Sequence, residues 1–350
     1  MNGQPPTHDV RVHSHVPASL WHEMTGEAGG DLLPSQTAGW RDAVCANGWQ
    51  DASRLYTWPD GSRLLVPLVR SADESGTTYA SWPEGWGVGG VIAAPEALTA
   101  DRVRTVLRDL AALPARQVYL RPATAAAPMW GELMPPGTRR NPRMTQVLDL
   151  TGGFGHVWEH RFSQRARWAV RRAERAGLVV SQDDTGQLIP EFYRLFELSA
   201  ARWAEQPGSA PEETMRRVRA KNPMSKFAAV ARHLGTDCRV WLASHEGRPV
   251  AALLALHHGS QVVYWAAAMD KPAAARTHAP TYLVHLVIMD ACAHGARSLH
   301  MGDTYPGTSV TKFKAGFGPK EDHTAGFWIP VSADGPEVTG ATREEDRTSC

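Results

Sequence analysis

The chain has 350 residues, 43% of them apolar and 21% charged, with a formal net charge of +1. That composition is typical of globular proteins and supplies no global field toward nucleic acid or membrane, so any basic site must be local. No window approaches the ~18 uncharged apolar residues of a membrane span. The polar N-terminus gives no expectation of a secretory signal, and four scattered cysteines without a CxxC pair (Cys45, Cys238, Cys292, Cys350) argue against a zinc ribbon or disulfide scaffold and fit a reducing cytoplasm.

In chain order, residues 1–8 read as a frayed tail. A helix is expected near 36–47 with Ser35 as its N-cap. Strands follow at 53–58 and 63–70, joined by the turn PDG, then a Gly-rich stretch, SWPEGWGVGG (81–90), read as a loop facing a cleft. A helix near 99–113, a strand at 117–122, a helix near 125–133 and a strand at 145–150 complete a first αβ unit. The second opens with an Arg-rich helix at 163–176, capped by Ser163 and ended by Gly177, followed by a strand at about 178–182 and helices near 187–205 and 211–233. Three strands joined as hairpins follow at 238–245, 249–258 and 261–269. Then come a helix at 280–294 with Pro280 in its first turn and Gly295 beyond its end, a strand at 298–302, a loop, a short helix near 310–316 and a strand at 324–331. Residues beyond about 335 read as a second tail.

Charge is uneven: all six lysines lie after position 220, and Lys312, Lys314 and Lys320 fall within nine residues. On the helix at 163–176, Arg167, Arg171 and Arg175 form one stripe at i, i+4, i+8, flanked by Arg165 and Arg172 and opposite an Ala/Val face. The stripe reads either as a solvated basic face or as a platform for phosphate or RNA backbone, since Arg forks match phosphate oxygens. In LHMGDTYPGTSVTKFKAGFG (299–318), Asp303, Thr304 and Tyr305 follow a strand end, where open αβ sheets hold ligands. Lys312 and Lys314 flank Phe313 there, an arrangement for an anionic, partly planar ligand or, alternatively, a surface turn capping the sheet. The histidines lack metal-ligand spacing, so no metal is expected. Trp168, Trp203, Trp241 and Trp265 lie in apolar patterns and read as core, and the basic run 216–226 as a solvated helix end.

The succession R-x-x-x-R-R-A-E-R-x-G-L-x-V, W-L-A-S-H-E-G-R-P-V-A-A-L-L-A-L, A-P-T-Y-L-V-H, M-G-D-T-Y-P-G and K-F-K-A-G-F-G resembles the second domain of Fem-type transferases, proteins of two tandem GNAT-like (acetyltransferase-fold) domains. The resemblance covers about 140–330 well and 35–140 loosely. It implies an α/β fold of mixed sheets, with GNAT-like domains at 1–148 and 149–335, a tail at 336–350 and a cleft between the domains. It further implies an acyltransferase that moves an aminoacyl group from aminoacyl-tRNA onto an amine of a cell-wall or natural-product precursor. Carried over by position, Phe313 and Lys314 lie near the reacting acyl group, and Arg167 and Arg171 fall in the helix that helps hold phosphorylated substrate.

One departure bears on the donor. The GNAT pyrophosphate loop belongs between the strand at 261–269 and the next helix, but DKPAAARTHAP (270–280) has no glycine. Close backbone approach to a CoA pyrophosphate normally needs Gly and free N–H groups. Acyl-CoA is therefore disfavoured, no other cofactor is expected, and aminoacyl-tRNA is the implied co-substrate. Lys314 is expected to stabilise an oxyanion, and Asp303 or Tyr305 to relay the amine proton. Phe313, Lys312, Thr304, Arg167, Arg171 and Arg175 are expected to bind substrate. A CoA- or carrier-protein-dependent acyltransferase and a non-catalytic binding protein on the same scaffold stand as alternatives.

Overall fold

The computed structural model describes residues 10–331 except 30, 75 and 206–209, so both expected tails lie almost wholly outside the described residues. The first half runs β1 (Arg11–His13), α1 (Ala18–Glu27), α2 (Ala38–Cys45), β2 (Gln50–Asp51), β3 (Arg54–Thr57), β4 (Arg63–Val66), β5 (Val69–Asp73), β6 (Gly76–Ala80), α3 (Ala100–Ala111), β7 (Gln117–Leu120), α4 (Ala127–Leu133) and β8 (Arg139–Asp149). The second runs α5 (Gly153–His160), α6 (Gln164–Glu174), β9 (Val179–Asp183), α7 (Ile189–Ala204), α8 (Pro211–Lys221), α9 (Met224–Leu234), β10 (Cys238–His245), β11 (Arg248–His258), β12 (Gln261–Met269), α10 (Lys271–Thr277), α11 (Ala279–Ala293), β13 (Ser298–Thr304), α12 (Ser309–Ala315) and β14 (Lys320–Ile329). This is the expected mixed α/β architecture.

Local chemistry explains the differences from the sequence reading. Thr37, not Ser35, caps α2: its Oγ1 accepts from Trp40 N–H at 3.3 Å, while Ser35 Oγ donates to Val88 O at 2.7 Å and ties down the Gly-rich loop. The expected strand at 63–70 is interrupted at Pro67, which cannot donate to a ladder, so β4 pairs in a small sheet and β5 in the large one. Pro223 likewise divides the expected helix at 211–233 into α8 and α9. The segment 270–280, where a pyrophosphate loop would lie and none is expected, contains the helix α10, whose first turn is capped by Asp270 accepting from Ala273 N–H at 3.3 Å.

A three-stranded sheet (β1-β3-β4) flanks an eleven-stranded sheet of order β2-β5-β6-β7-β14-β8-β13-β12-β11-β10-β9. Two neighbouring pairs, β6–β7 and β12–β13, are parallel, and the others are antiparallel. Each half therefore repeats one motif: an antiparallel hairpin, a helix, and a strand parallel to the second hairpin strand. The chain's last strand, β14, returns between β7 and β8, so the centre of the sheet interleaves both halves.

The core has three parts. One lies under α3 and α4 in the first half, and one under α5, α6 and α11 in the second. The third is shared: Trp21, Trp40, Trp82 and Trp86 meet Phe192, Phe227 and the inner face of β10–β12. Gly39 permits the crossing of α2 on α9, since a Cβ there would stand 2.6 Å from His233 O.

The central strands depend on one glycine. A Cβ on Gly326 of β14 would lie 2.0 Å from Tyr119 Oη and 2.5 Å from its Cζ. Gly326→Ala is expected to displace that ring and to cost about 1–3 kcal/mol, read as a lower urea midpoint with an unchanged m-value. Gly155→Ala, in a helix with open space around it, is the control and leaves stability equal or higher.

Candidate active site

The site grows from a failure of pairing. Parallel strands β12 and β13 pair only at Gln261–Ser298, Val262–Leu299 and Val263–His300. Beyond, β12 stays bonded to β11 as far as Met269, and β13 to β8 as far as Thr304, so the strands diverge from Tyr264 and Met301 onward. Their facing backbone edges are left open for a ligand. The corresponding gap in the first half is sealed: Ser81 Oγ accepts from Arg121 N–H at 2.8 Å, and Gly90 N–H donates to Arg121 O at 2.9 Å.

Two cavities meet at the open gap. One, of about 270 Å³, lies between the Gly-rich loop (Gly85, Gly87, Val88), Tyr119 and Arg121 of the first half, and His300, Asp303 and Tyr305 of the second. The other, of about 520 Å³, runs along β12 under α11 and α12 and is lined by Phe313 and Lys314. They share Tyr264, Trp265, Gly302 and Asp303.

Asp303 is gripped by Arg121 in a two-pronged ion pair of 2.9 and 2.7 Å, spanning 182 residues of sequence. A bulge aims it. His300 Nδ1 accepts from Gly302 N–H at 3.1 Å, Gly302 takes φ +75°, and the β13–β8 register shifts between His300 and Asp303. Burial lowers His300 to about 4, so the ring is neutral, with its proton on Nε2. Lys314 projects from the buried face of α12 and is only 4% exposed. Its Nζ lies 5.4 Å from the Tyr264 ring centroid and makes no hydrogen bond or ion pair among the described residues. Burial lowers its pKa to about 8, with the Asp303 charge opposing.

The other residues singled out in the sequence fall in three places. Tyr305 is 68% exposed at the rim of the smaller cavity, its carbonyl accepting from Thr311 Oγ1 at 2.6 Å. Thr304 lies within β13 rather than a loop and is buried, its Oγ1 without a hydrogen-bond partner. Phe313 walls the larger cavity, and Lys312 is exposed on the outer side of α12. Arg167 and Arg171 line a separate depression with Trp158 and Glu159. Arg167 there donates to Trp158 O and Glu159 O at 3.0 and 2.9 Å, finishing the end of α5, and Arg175 donates to Arg171 O at 3.0 Å.

Several partners carried no signal in the sequence. Arg121 stands in an unremarkable strand end, and Tyr264 in a run that reads as plain core. Lys226, in the run read as a solvated helix end, is buried: its Nζ donates to Gly85 O at 2.8 Å and Asn222 Oδ1 at 3.0 Å, and lies 4.9 Å from the Trp86 ring centroid. It fixes the Gly-rich wall, helped by Lys221 pairing with Glu84 at 2.8 Å. Trp168 and Trp203, expected in the core, are 53% and 39% exposed. Trp168 sits two residues from Ala166, about 200° around the helix and so opposite the buried Ala/Val stripe. Among the described residues no three His, Cys, Asp or Glu side chains converge to hold a metal.

A mixed sheet in which a parallel pair splays open beside two adjoining cavities is a GNAT-type fold. Residues 160–314 match the acetyltransferase (GNAT) domain family. Over nearly the whole chain the fold is similar to that of several solved structures. FemX, in its crystal structure, is similar with a TM-score of 0.67 at 14% identity, over 92% of this chain and 97% of that one. A conserved protein of unknown function from Bacteroides thetaiotaomicron VPI-5482 is similar at 0.55 and 9% identity, over 92% and 100%. The C-terminal domain (DUF2156) of a protein described as a lysylphosphatidylglycerol synthetase from Agrobacterium fabrum is similar at 0.51 and 11% identity, over 89% and 92%. No curated protein matches the sequence. No helix among the described residues is long and apolar enough to cross a membrane.

The Arg121–Asp303 pair sets the cavity junction and is itself testable. Arg121 is 9% and Asp303 34% exposed, so removing Asp303 strands a largely desolvated guanidinium, whereas removing Arg121 leaves a carboxylate that water still reaches. A cycle of Arg121→Ala, Asp303→Ala and the double variant is expected to show a coupling of about 1–3 kcal/mol in unfolding free energy. Additive losses would mean the pair is not coupled.

Proposed function

We propose that the protein transfers an aminoacyl group from aminoacyl-tRNA to the amine of a small acceptor, a natural-product or cell-wall precursor. The carrying observation is the junction itself: two cavities that share Tyr264, Trp265, Gly302 and Asp303 at the splayed strands, meeting beside a desolvated lysine. In this reading the acceptor lies in the cavity walled by the Gly-rich loop, and the donor's acyl end lies along β12. The acceptor amine attacks the ester carbonyl, a C–N bond forms, the C–O bond to the ribose breaks, and the amine proton ends on the departing hydroxyl. Lys314 supplies positive charge to the developing oxyanion in a low-dielectric site. Asp303, or Tyr305 at the rim, receives the amine proton, and Phe313 packs against the acyl group. The ester is already activated, so positioning carries much of the acceleration and no covalent enzyme intermediate is required.

The resemblance to Fem-type transferases supports the aminoacyl donor, as does similarity to a protein described as making an aminoacylated lipid. The helix α10 supports it too. Asp270 occupies one first-turn N–H of α10, and Pro280 removes one from the start of α11, so fewer backbone donors are left to cradle a CoA pyrophosphate. The reading implies a cytoplasmic protein, with no cofactor beyond the charged tRNA. An acyl-CoA donor is the second reading, favoured by the family match at 160–314. Single-turnover amide formation with a charged tRNA pool, and separately with acyl-CoA, separates the two: RNase-sensitive transfer supports the first.

Two outcomes check Lys314. Lys314→Ala is expected to lower kcat by about 10²–10³ while KM changes little, the usual effect of removing one electrostatic stabiliser. Because burial lowers Lys314 to about 8, its ammonium dominates below that pH and is lost above it, so kcat falls as pH rises through about 8. In Lys314→Arg that falling limb disappears, since guanidinium keeps its charge. A wild-type limb that persists in the Arg variant would assign it to another group.

A further inference from the structure

The larger cavity opens outward into a third, of about 460 Å³, with which it shares His278, Thr281, Ser309 and Phe313. The outer cavity is lined on α6 by Arg165 and Trp168 and on α12 by Lys312, and no acidic residue lines it. Half-exposed Trp168 meets the His278 ring edge-on, their centroids 5.1 Å apart. His278 takes φ +54° where α10 joins α11, which sets its Cα–Cβ bond at the mouth of the cavity, and its ring packs against Trp168. Arg165 and Lys312 make no ion pair or side-chain hydrogen bond among the described residues, whereas Arg167 and Arg175 spend theirs on main-chain carbonyls. An exposed indole beside two unpaired cations, in a concavity large enough for a small ligand, matches one chemistry well: an aromatic base with an attached phosphate.

We infer that Trp168, His278, Arg165 and Lys312 form a docking site for an adenine nucleotide, the terminal adenosine and phosphate of the acyl donor. This deepens the transfer reading above and rests on it for the donor's identity. The base stacks on Trp168, its phosphate lies between Arg165 and Lys312, and the acyl end passes Phe313 to reach Lys314. Arg167 and Arg171 open onto a different depression and take no part in this site. Two donors carry the chemistry, the 3′-terminal adenosine of tRNA and the nucleotide of CoA, and separate arms distinguish them.

The test is calorimetric binding of adenosine 5′-monophosphate, CoA and an uncharged RNA hairpin ending in CCA to the full chain. Trp168→Ala is expected to weaken adenosine monophosphate about tenfold, the size of one lost base–aromatic stack. Trp168→Phe should restore most of the affinity, and the thermal midpoint should hold because the ring is exposed. Arg165→Ala with Lys312→Ala should weaken the nucleotide but not adenosine, and flatten the salt dependence. Trp168-dependent binding of the RNA hairpin assigns the site to tRNA, and of CoA alone to an acyl-CoA donor. Wild-type protein that binds none of the three at millimolar concentration, or Trp168→Ala protein with unchanged affinity, overturns the site. Trp168-independent binding alongside Lys314-dependent transfer would remove the site and leave the transfer reading. Trp168-dependent binding in a protein that forms no amide with either donor would do the reverse.

Discussion

The chemistry of this protein rests on three paired residues and the absence of a fourth pair. Gln261–Val263 hold β12 to Ser298–His300 of β13, and then pairing ends. Both strands remain bonded on their outer edges, so the gap cannot close without breaking ladders elsewhere. Beyond the third pair the two strands no longer serve each other's backbone groups, and Gly302 N–H turns to His300 Nδ1 instead. The first half has the same parallel arrangement at β6–β7, but Ser81 Oγ and Gly90 N–H satisfy the chain around Arg121 there. One topology used twice thus yields one open site. The loop that seals the first gap becomes the wall of the second, which is why the Gly-rich segment and the 302–305 segment face each other.

Charge at the junction is arranged by subtraction. Arg121 and Asp303 pair, leaving two cations beside the gap with no ion pair among the described residues: Lys314, desolvated and over the face of Tyr264, and Arg143 of β8, which lines the smaller cavity near Tyr119 and Asp303. Lys226 on the loop side is also desolvated, to a pKa of about 7, but two acceptors and an indole face satisfy it. Two buried lysines thus do different work. One spends its donors on holding a wall, and the other keeps them free for a ligand.

What the sequence made legible follows from range. Strands β10–β12 show in their apolar runs, α6 in its Ser163 cap and Gly177 stop, and α11 in its Pro280 and Gly295. The Gly-rich loop and the 299–318 segment stood out because their residues are chemically unusual for a core. Features made by distant contact did not show. Arg121 is 182 residues from Asp303, and nothing near it in the chain marks it as a partner. The short strands β1, β2 and β6 exist because longer neighbours offer an edge, not because of their own pattern. The helix α10 was hidden because its segment was compared with a loop motif, although Asp270, Pro272 and a run of alanines are a helix-start signal in their own right. Trp168 was assigned by hydrophobicity when its angle on the helix pointed the other way.

The Arg121–Asp303 contact also constrains the shape of the whole sheet. Between β7, which Arg121 follows, and β13, which carries Asp303, lie β14 and β8. Three strand spacings amount to about 14 Å in a flat sheet, close to the full reach of an arginine and an aspartate joined by a hydrogen bond. The 2.7 Å contact therefore ties the end of β7 to β13 across the two strands between them. Gly326 on β14, between those strands, leaves the space its Cβ would fill to the Tyr119 ring. Because β14 is the last strand described, the first half cannot present Tyr119 and Arg121 to the site until the end of the chain has threaded between β7 and β8. The cleft is thus a property of the interleaved centre, and neither half could form it alone.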